Sequence, residues 1–489
     1  MLFNSISYLI FFPLVLLCYW ISPARFRRPI LLAASYVFYM SWIPAYGLLI
    51  GELTAVNYLL ALAIDRFGSQ SRYWLLAGLV VNLGTLCYFK YTNFLLKSVL
   101  DGLTFILPFF HCPMPASESF GLNVILPLGI SFFAFEFIHY LTDVYKGDKP
   151  IANALDFGLF AAFFPSQIAG PIKRYQDFMH QLAEVPVFDR DLFHRGFVLL
   201  LQGLFKKVAL SDNLAPLSNA GFAATGQLGT SDCWIAVAAF TLQIYFDFSG
   251  YTDMGRGSAM MLGYTLPDNF NFPYLASSLS DFWKRWHISL STWLRDYLYV
   301  PLGGGRCQKS RKYRNLLITM LLGGLWHGAA WHFVAWGGFH GLGLIANHQW
   351  DDFVGRTPFL QKFHATLPAK CLCMLATLFL VVIGWVLFRA DTLSQALSLI
   401  AGLFCPAPST VVAPLLASSP VLSALGVYCL YALLFSLRSW RTLPWLERIH
   451  SQPAFALTLP SRACLYAGVV LAVIGFAPPQ PSPFIYFQF

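Results

Sequence analysis

Charge is scarce in this sequence. Of its 489 residues only 11% are Asp, Glu, Lys or Arg, against roughly 25% in an ordinary soluble domain. Apolar residues make up 57% and aromatics 17%, and the mean hydropathy is +0.59. A soluble fold of this length has too few charges to cover so much apolar surface. The composition excludes disordered, coiled-coil, collagen-like and small disulfide-scaffold classes. No repeat of fixed period is present, and no polar stretch is long enough to form a soluble domain. The expected product is an all-α integral membrane protein organised as one polytopic domain over 1–489.

Other absences narrow the chemistry. There is no G-x-x-x-x-G-K-[ST] phosphate loop and no G-x-S-x-G nucleophile elbow. A processive glycan polymerase would carry Q-x-x-R-W; the nearest match, FWKRW at 282–286, has Phe in place of Gln and no flanking soluble domain. Nothing resembles a basic stripe interleaved with base-stacking positions, so no nucleic-acid partner is expected. Ten cysteines lie scattered in apolar sequence, and the close pair Cys371 and Cys373 is too tight for a zinc knuckle. They read as small hydrophobes, with neither a disulfide framework nor a metal site expected. The first segment, MLFNSISYLIFFPLVLLCYW, has no basic n-region, and its first basic residue is Arg25. It reads as a retained span whose start faces outside, with Arg25, Arg27 and Arg28 inside.

What is present is a succession of apolar runs, near 3–21, 30–44, 46–64, 73–89, 93–110, 122–142, 152–171, 192–210 and 232–248, then 315–328, 331–347, 371–388, 392–405, 420–437 and 463–477. A span needs about 20 apolar residues, and several runs are short or broken, as around Pro165, Gly170 and Pro171. About 10 to 12 spans are expected, with the remainder re-entrant, since broken backbone at membrane depth survives only where protein or a water-filled cavity satisfies it. The net charge of +9 sits between these runs, in Arg25–Arg28, Lys206–Lys207, Lys284–Arg285 and a loop over 306–314, where it reads as topology, with anionic lipid contact second.

The segment 281–298, DFWKRWHISLSTWLRDYL, is amphipathic as a continuous helix. Phe282, Trp293, Trp286, Tyr297, Leu290, Trp283 and Leu294 fall within about 120° of arc, opposite Lys284, Arg285, Ser291 and Arg295. It reads as an interfacial helix or one packed sideways on the bundle.

Polar side chains within apolar runs are expensive and mark function by default. The foremost is His327, in LLGGLWHGAAWHFVAWGGFHG, carried by the helices expected over 315–347. Gly323, Gly324 and Gly328 permit close backbone approach. Burial favours the neutral imidazole, which suits a general base acting on a hydroxyl; the alternative is a hydrogen-bonded core histidine. His332 and His340 lie close to it in sequence, but 327 and 332 stand about 140° apart on a common helix, and the want of suitably spaced ligands argues against a zinc cluster. His139 and Asp143, at i, i+4, form a candidate pair, oriented for chemistry or simply buried. Asp247 and Asp253, around Gly250 in QIYFDFSGYTD, either line a cavity or cap a helix after a break at Gly250.

The combination of DFWKRWHISLSTWLRDYLYVPLGGGR with LLGGLWHGAAWHFVAWGGFHG resembles the membrane-bound O-acyltransferase (MBOAT) family, and within it the bacterial alginate O-acetylation branch. PLGISFFAFEFIHYLTDVYKGD at 127–148, FPSQIAGPIKRY at 164–175, IYFDFSGYTDMGRG at 244–257 and the aromatic tail SPFIYFQF add to the likeness, which covers nearly the whole chain. The resemblance implies helices around a central funnel and an O-acetyltransferase activity. His327 maps to the family's catalytic histidine. His287 maps to its second signature histidine, which shapes the donor side or positions the thioester, while Asp281, Trp286 and Arg295 hold their helix in place. It further implies acetyl-CoA as a cytoplasmic donor substrate with no permanently bound cofactor, and periplasmic SGNH-type acetyltransferase partners. The acceptor is a polysaccharide, reached directly or through a partner's serine; alginate, cellulose and peptidoglycan all have such proteins. The location implied is the bacterial inner membrane, in contact with lipid, with the N-terminus periplasmic. Two other classes stay open from the residues themselves: an acetyl carrier or channel, and a scaffold for a secretion complex.

Overall fold

The structure, a computed structural model, describes residues 1–106, 122, 125–168, 170–408, 411–429, 459–480 and 482–487. The apolar runs expected at 93–110 and 420–437, and the end of the aromatic tail, extend outside the described residues. Regular structure among the described residues is helical, with no strand beyond one antiparallel bridge between Phe270 and Trp286. The helices are α1 (Ile6–Ile21), α2 (Ala24–Met40), α3 (Ala45–Arg66), α4 (Ser71–Leu86), α5 (Thr92–Ile106), α6 (Ile130–Tyr145), α7 (Ala154–Ala162), α8 (Tyr175–Ala183), α9 (Arg190–Leu204) and α10 (Asp212–Ala223). The chain continues through α11 (Thr230–Met261), α12 (Leu279–Arg285), α13 (Ile288–Leu294), α14 (Lys309–His327), α15 (Trp331–Arg356), α16 (Pro358–Ala365), α17 (Leu367–Arg389), α18 (Leu393–Gly402), α19 (Ala413–Ser418) and α20 (Leu459–Gly475). The all-α expectation holds.

Among the described residues, four stretches are long and apolar enough to cross a membrane: Ala45–Arg66, Gly68–Thr104, Thr230–Met261 and Leu367–Arg389. Ile6–Ile21, Leu393–Gly402 and Tyr466–Gly475 are shorter apolar helices. Several expected runs are not simple spans. The run at 152–171 yields only the nine-residue α7 and then a buried non-helical segment. That irregular backbone is satisfied internally, as membrane depth requires: Phe164 N donates to Ser35 Oγ (3.1 Å) and Ile172 N to Ser289 Oγ (3.0 Å). Gly129, at φ 71°, lies against it where a Cβ would come within 2.8 Å of the Gln167 carbonyl oxygen.

Two compact units make up the described chain, one from Met1–Gly196 with Ser258–Phe388 and the other from Phe197–Gly257 with the residues after Phe388. In the first, α3, α4 and α6 pack together, and Asn57 and Asn82 exchange reciprocal side-chain amide bonds of 3.1 and 2.7 Å between α3 and α4. Among the described helices, the pairing of α14 with α15 is the most extensive. The expected basic loop over 306–314 is shorter than its charge suggests. Gly303 and Gly304 turn at positive φ, and Lys309 already opens α14, so Lys309, Arg311, Lys312 and Arg314 lie on that helix. Lys309 is held there by Asp352 at 2.5 Å.

The second unit corrects two readings. Lys206 and Lys207 do not sit in a topological loop. They fall in a π-helical stretch, Phe205–Ser211, and both are buried. Lys206 pairs with Asp253 at 2.7 Å, and Lys207 with Asp212 and Asp247 at 2.8 Å each. Nor does α11 break at Gly250. The helix runs through it, and the missing side chain admits the backbone of α9, whose Gly203 carbonyl oxygen lies 2.8 Å from where a Cβ would be. Asp247 and Asp253 therefore cap no helix after a break; each is paired with a buried lysine. The aromatic tail closes on the same network, with Lys207 Nζ donating to Ser482 O (3.0 Å) and Ile485 N to Asp247 Oδ2 (2.8 Å).

Candidate functional site

His327 is the last residue of α14. Gly328 leaves the helical region at φ −158° and ψ 150°, and α15 begins three residues later at Trp331. His327 and His332 thus belong to different helices, and the expected angle between them on one helix does not apply. Glycine makes the hairpin possible. A Cβ on Gly324 would lie 2.2 Å from the Phe333 carbonyl oxygen, one on Gly337 2.3 Å from that of Met320, and one on Gly328 1.9 Å from the Phe333 ring. Backbones at that separation fix the helix end rigidly. The His327 side chain, in a residue only 6% exposed, is boxed by three rings: Trp326 at 4.9 Å, Trp336 at 5.1 Å and Phe388 at 5.3 Å, all edge-on.

His287 arrives from a kink. The expected continuous helix over 281–298 is instead α12, a turn at Trp286–His287, α13, and a π-helical turn Arg295–Tyr299. His287 sits at φ 43°, in the left-handed region, a conformation rare for a residue with a Cβ. Competing backbone bonds override the amphipathic period here. Asn271 N donates to Arg285 O (2.9 Å) and Ile288 N to Asn269 O (3.0 Å), and Ser289 Oγ donates to Asn269 Oδ1 (2.6 Å). Asp281 accepts from Arg285 Nε (2.8 Å) and Ser277 N (3.2 Å), which braces the start of α12. Phe282, Trp286, Leu290, Trp293 and Leu294, from the expected apolar arc, are buried within this unit.

The two histidines share one neighbour. The fully buried His287 ring lies 6.3 Å from the Trp326 indole and 6.5 Å from Phe132. Trp326 in turn stacks on Phe135 at 5.0 Å and meets Phe132 edge-on at 5.4 Å. Phe135 also stacks on Trp293 at 3.9 Å, whose Nε1 donates to the Phe135 carbonyl (3.1 Å). Three sequence motifs far apart in the chain therefore meet around Trp326.

Among the other candidates, His340 shares the Trp336 ring with His327. His332 Nδ1 contacts Leu387 O at 3.3 Å. His340 is fully buried against Trp336 (4.9 Å) and Trp283 (5.2 Å). His139 and Asp143 do not pair: His139 Nδ1 turns to Phe135 O (3.1 Å), while Asp143 accepts from Tyr297 (2.6 Å) and Gln176 (3.0 Å).

Several polar groups beside the site escaped the sequence reading. Lys173 donates to both oxygens of Glu136 at 2.7 and 2.8 Å, with the two side chains only 2% and 7% exposed. Lys90 and Tyr91 reach the end of α14 from a π-helical turn, Cys87–Tyr91. The signal existed, since Glu136 in SFFAFEFIHY and Lys90 in CYFKYTN are charges inside apolar sequence. Arg174 donates to Tyr297 Oη (2.8 Å) and Asp296 (2.5 Å), and Arg295 to Asp296 (2.7 Å). Partial burial pushes the Asp296 carboxyl up, but the bonds from Arg295 and Arg174 outweigh it and hold it below the usual carboxylate range.

Among the described residues, four stretches long and apolar enough to cross a membrane, with a boxed histidine at a helix end and a second one beside the same indole, suit a membrane-embedded group-transfer enzyme. The chain belongs to the membrane-bound O-acyltransferase family, MBOAT, whose model matches residues 9–382. It is an O-acyltransferase and a membrane protein. It is 42% identical over 410 residues to a protein of Azotobacter vinelandii named probable alginate O-acetylase AlgI, covering 83% of this chain and 78% of that one. The protein of that name from Pseudomonas aeruginosa is 42% identical over 407 residues, 81% of this chain and 73% of its own. A peptidoglycan O-acetyltransferase of Helicobacter pylori is 36% identical over 441 residues, with 82% and 80% covered.

Proposed function

We propose that this protein takes acetyl groups from cytoplasmic acetyl-CoA and delivers them across the bacterial inner membrane for O-acetylation of an exopolysaccharide, alginate in the first instance. The observation that carries the reading is His327, enclosed by Trp326, Trp336 and Phe388 at the end of a helix locked by Gly324 and Gly337, in a chain 42% identical to the alginate proteins. His327 is the general base. It takes the proton of the acceptor hydroxyl as that oxygen forms a bond to the thioester carbonyl carbon; the carbon–sulfur bond then breaks, and the departing thiolate takes the proton from the imidazolium. Excluding water from the box protects the thioester from hydrolysis. His287, across Trp326, positions the thioester from the donor side.

In this reading the donor approaches His327 from the cytoplasm, with the N-terminus periplasmic and the basic start of α14 drawing the donor's phosphates. The acceptor hydroxyl belongs to a periplasmic SGNH-type acetyltransferase or to the polymer itself. The 36% identity to a peptidoglycan O-acetyltransferase makes peptidoglycan the second acceptor to test. Wild type and His327→Ala, reconstituted in liposomes with labelled acetyl-CoA, are compared for thioester cleavage and for label on added partner, alginate or peptidoglycan. Turnover by wild type alone is expected. Equal turnover by a folded His327→Ala protein would remove His327 from the chemistry and make it a core histidine.

A further inference from the structure

The box around His327 is only as well placed as the backbone beneath it, and that backbone ends in mid-protein. The last four carbonyls of an α-helix have no partner within the helix, and in an apolar surround each must find one. No cap comes from the sequence after α14, because Gly328 is extended and no left-handed glycine turns back to bond the helix end. Two consecutive residues of the Cys87–Tyr91 π-turn do the work instead. Tyr91 Oη donates to Leu325 O (2.8 Å), and Lys90 Nζ donates to Trp326 O (2.6 Å) and His327 O (2.9 Å). Three successive carbonyls, ending on that of His327 itself, are thus satisfied from one turn of a neighbouring element. Such π-turns concentrate at functional sites.

The Lys90 Nζ thus stands at the end of α14, where the helix carries partial negative charge. Lys90 Nζ further lies 5.9 Å from the centre of the Trp326 ring, which neighbours both His327 and His287. We propose that Lys90, seconded by Tyr91, is a positioning residue for His327: it fixes the terminal turn of α14 so that the imidazole stands at the reacting atoms. This rests on the reading of His327 as the general base.

The test uses full-length protein in liposomes, with turnover counted per folded molecule and acetyl-CoA varied, for wild type, Lys90→Met, Lys90→Arg, Tyr91→Phe and His327→Ala. A displacement of about 1 Å in a catalytic group costs on the order of 100-fold in rate, so Lys90→Met is expected to lose roughly 10- to 100-fold in kcat while KM for acetyl-CoA stays within about twofold. Lys90→Arg, which can still donate to both carbonyls, recovers most of the loss, and Tyr91→Phe loses a few-fold. Wild-type kcat per folded Lys90→Met molecule, whatever its melting temperature, would reduce Lys90 to a structural cap. A raised KM with kcat intact would make it a donor-binding group. Either result overturns the proposal. Should Lys90→Met not accumulate, Tyr91→Phe decides, and wild-type kcat there overturns it as well. A fully active His327→Ala sinks the underlying reading instead, and so the two failures are told apart.

Discussion

Removing Lys173 should damage this protein far more than removing Lys173 and Glu136 together. The ammonium bonds both carboxylate oxygens at 2.7 and 2.8 Å and lies 5.1 Å from the centre of the Phe160 ring, with the two side chains 2% and 7% exposed. At an effective dielectric constant of about 20 the Coulomb attraction at that separation is about 6 kcal/mol. Desolvation takes several kcal/mol from each ion, so the pair as a whole contributes little net stability. Deleting one partner abolishes the attraction and leaves the other's desolvation uncompensated, at about 3–5 kcal/mol. For a unit of this size that is on the order of a 10 °C fall in Tm. Lys173→Met should show that fall in thermal unfolding followed by tryptophan fluorescence, and Glu136→Leu with Lys173→Met should recover most of it. The site should respond too, because Glu136 adjoins Phe135, which stacks on Trp326, and Lys173 adjoins Ile172, which bonds Ser289. A Lys173→Met protein as stable as wild type, or a double variant no better than the single one, would refute the reasoning.

Two further outcomes follow from geometry and charge. Gly324→Ala, whose Cβ would meet the Phe333 carbonyl oxygen at 2.2 Å, should force α14 and α15 apart and cut both Tm and acetyl transfer; Gly323→Ala meets only the Leu294 Cδ1 methyl at 3.3 Å and should be far milder. The reverse order in paired melting and transfer assays would contradict the packing. Asp296, held below the usual carboxylate range by Arg295 and Arg174 against its partial burial, contributes stability that is present above the unfolded value of about 3.9 and is lost as pH falls through its lower folded value. Asp296→Asn should therefore lower Tm at neutral pH, and the difference from wild type should close as the pH is brought below the carboxylate range. A gap that widened on acidification would reverse the sign.

The class of the fold was legible because composition settles it: with 11% charge, apolar helices are the available answer. His327 stood out as a candidate for a related reason, as a polar side chain amid glycines in an apolar run. The helix periodicity at 281–298 misled because it registers which side chains are buried and is blind to hydrogen bonds made by backbone. Asn269 and Asn271, more than ten residues upstream, break the helix at His287. Lys206 and Lys207 misled in the opposite way. Adjacent basic residues between apolar runs look like a loop, and only their carboxylate partners at 212, 247 and 253 show that they are interior. Lys90 was marked as a charge inside apolar sequence, but its role was not legible, because its partners are carbonyl oxygens, which every residue has and no sequence pattern marks.

The kink at His287 offers a way to separate chemistry from architecture. A residue with a Cβ at φ 43° is strained by about 1–2 kcal/mol relative to glycine, and strain of that kind persists where surrounding structure imposes it. Glycine at this position relieves the strain but forfeits the packing of a fully buried ring against Phe132 and Trp326; alanine forfeits the packing and keeps the strain. Asparagine tolerates the left-handed region and retains a polar tip. The stability order among the variants is therefore expected to be His287→Gly above His287→Ala by about 1 kcal/mol, with His287→Asn near the former. If the imidazole acts on the thioester, acetyl transfer is lost in all three regardless of that order, and the extra stability of the glycine protein brings no activity back. If the histidine serves only to make the turn, transfer follows stability, and His287→Gly outperforms His287→Ala. Melting temperature and turnover measured on the same reconstituted samples distinguish the two, and turnover that rose in step with stability would remove His287 from the chemistry.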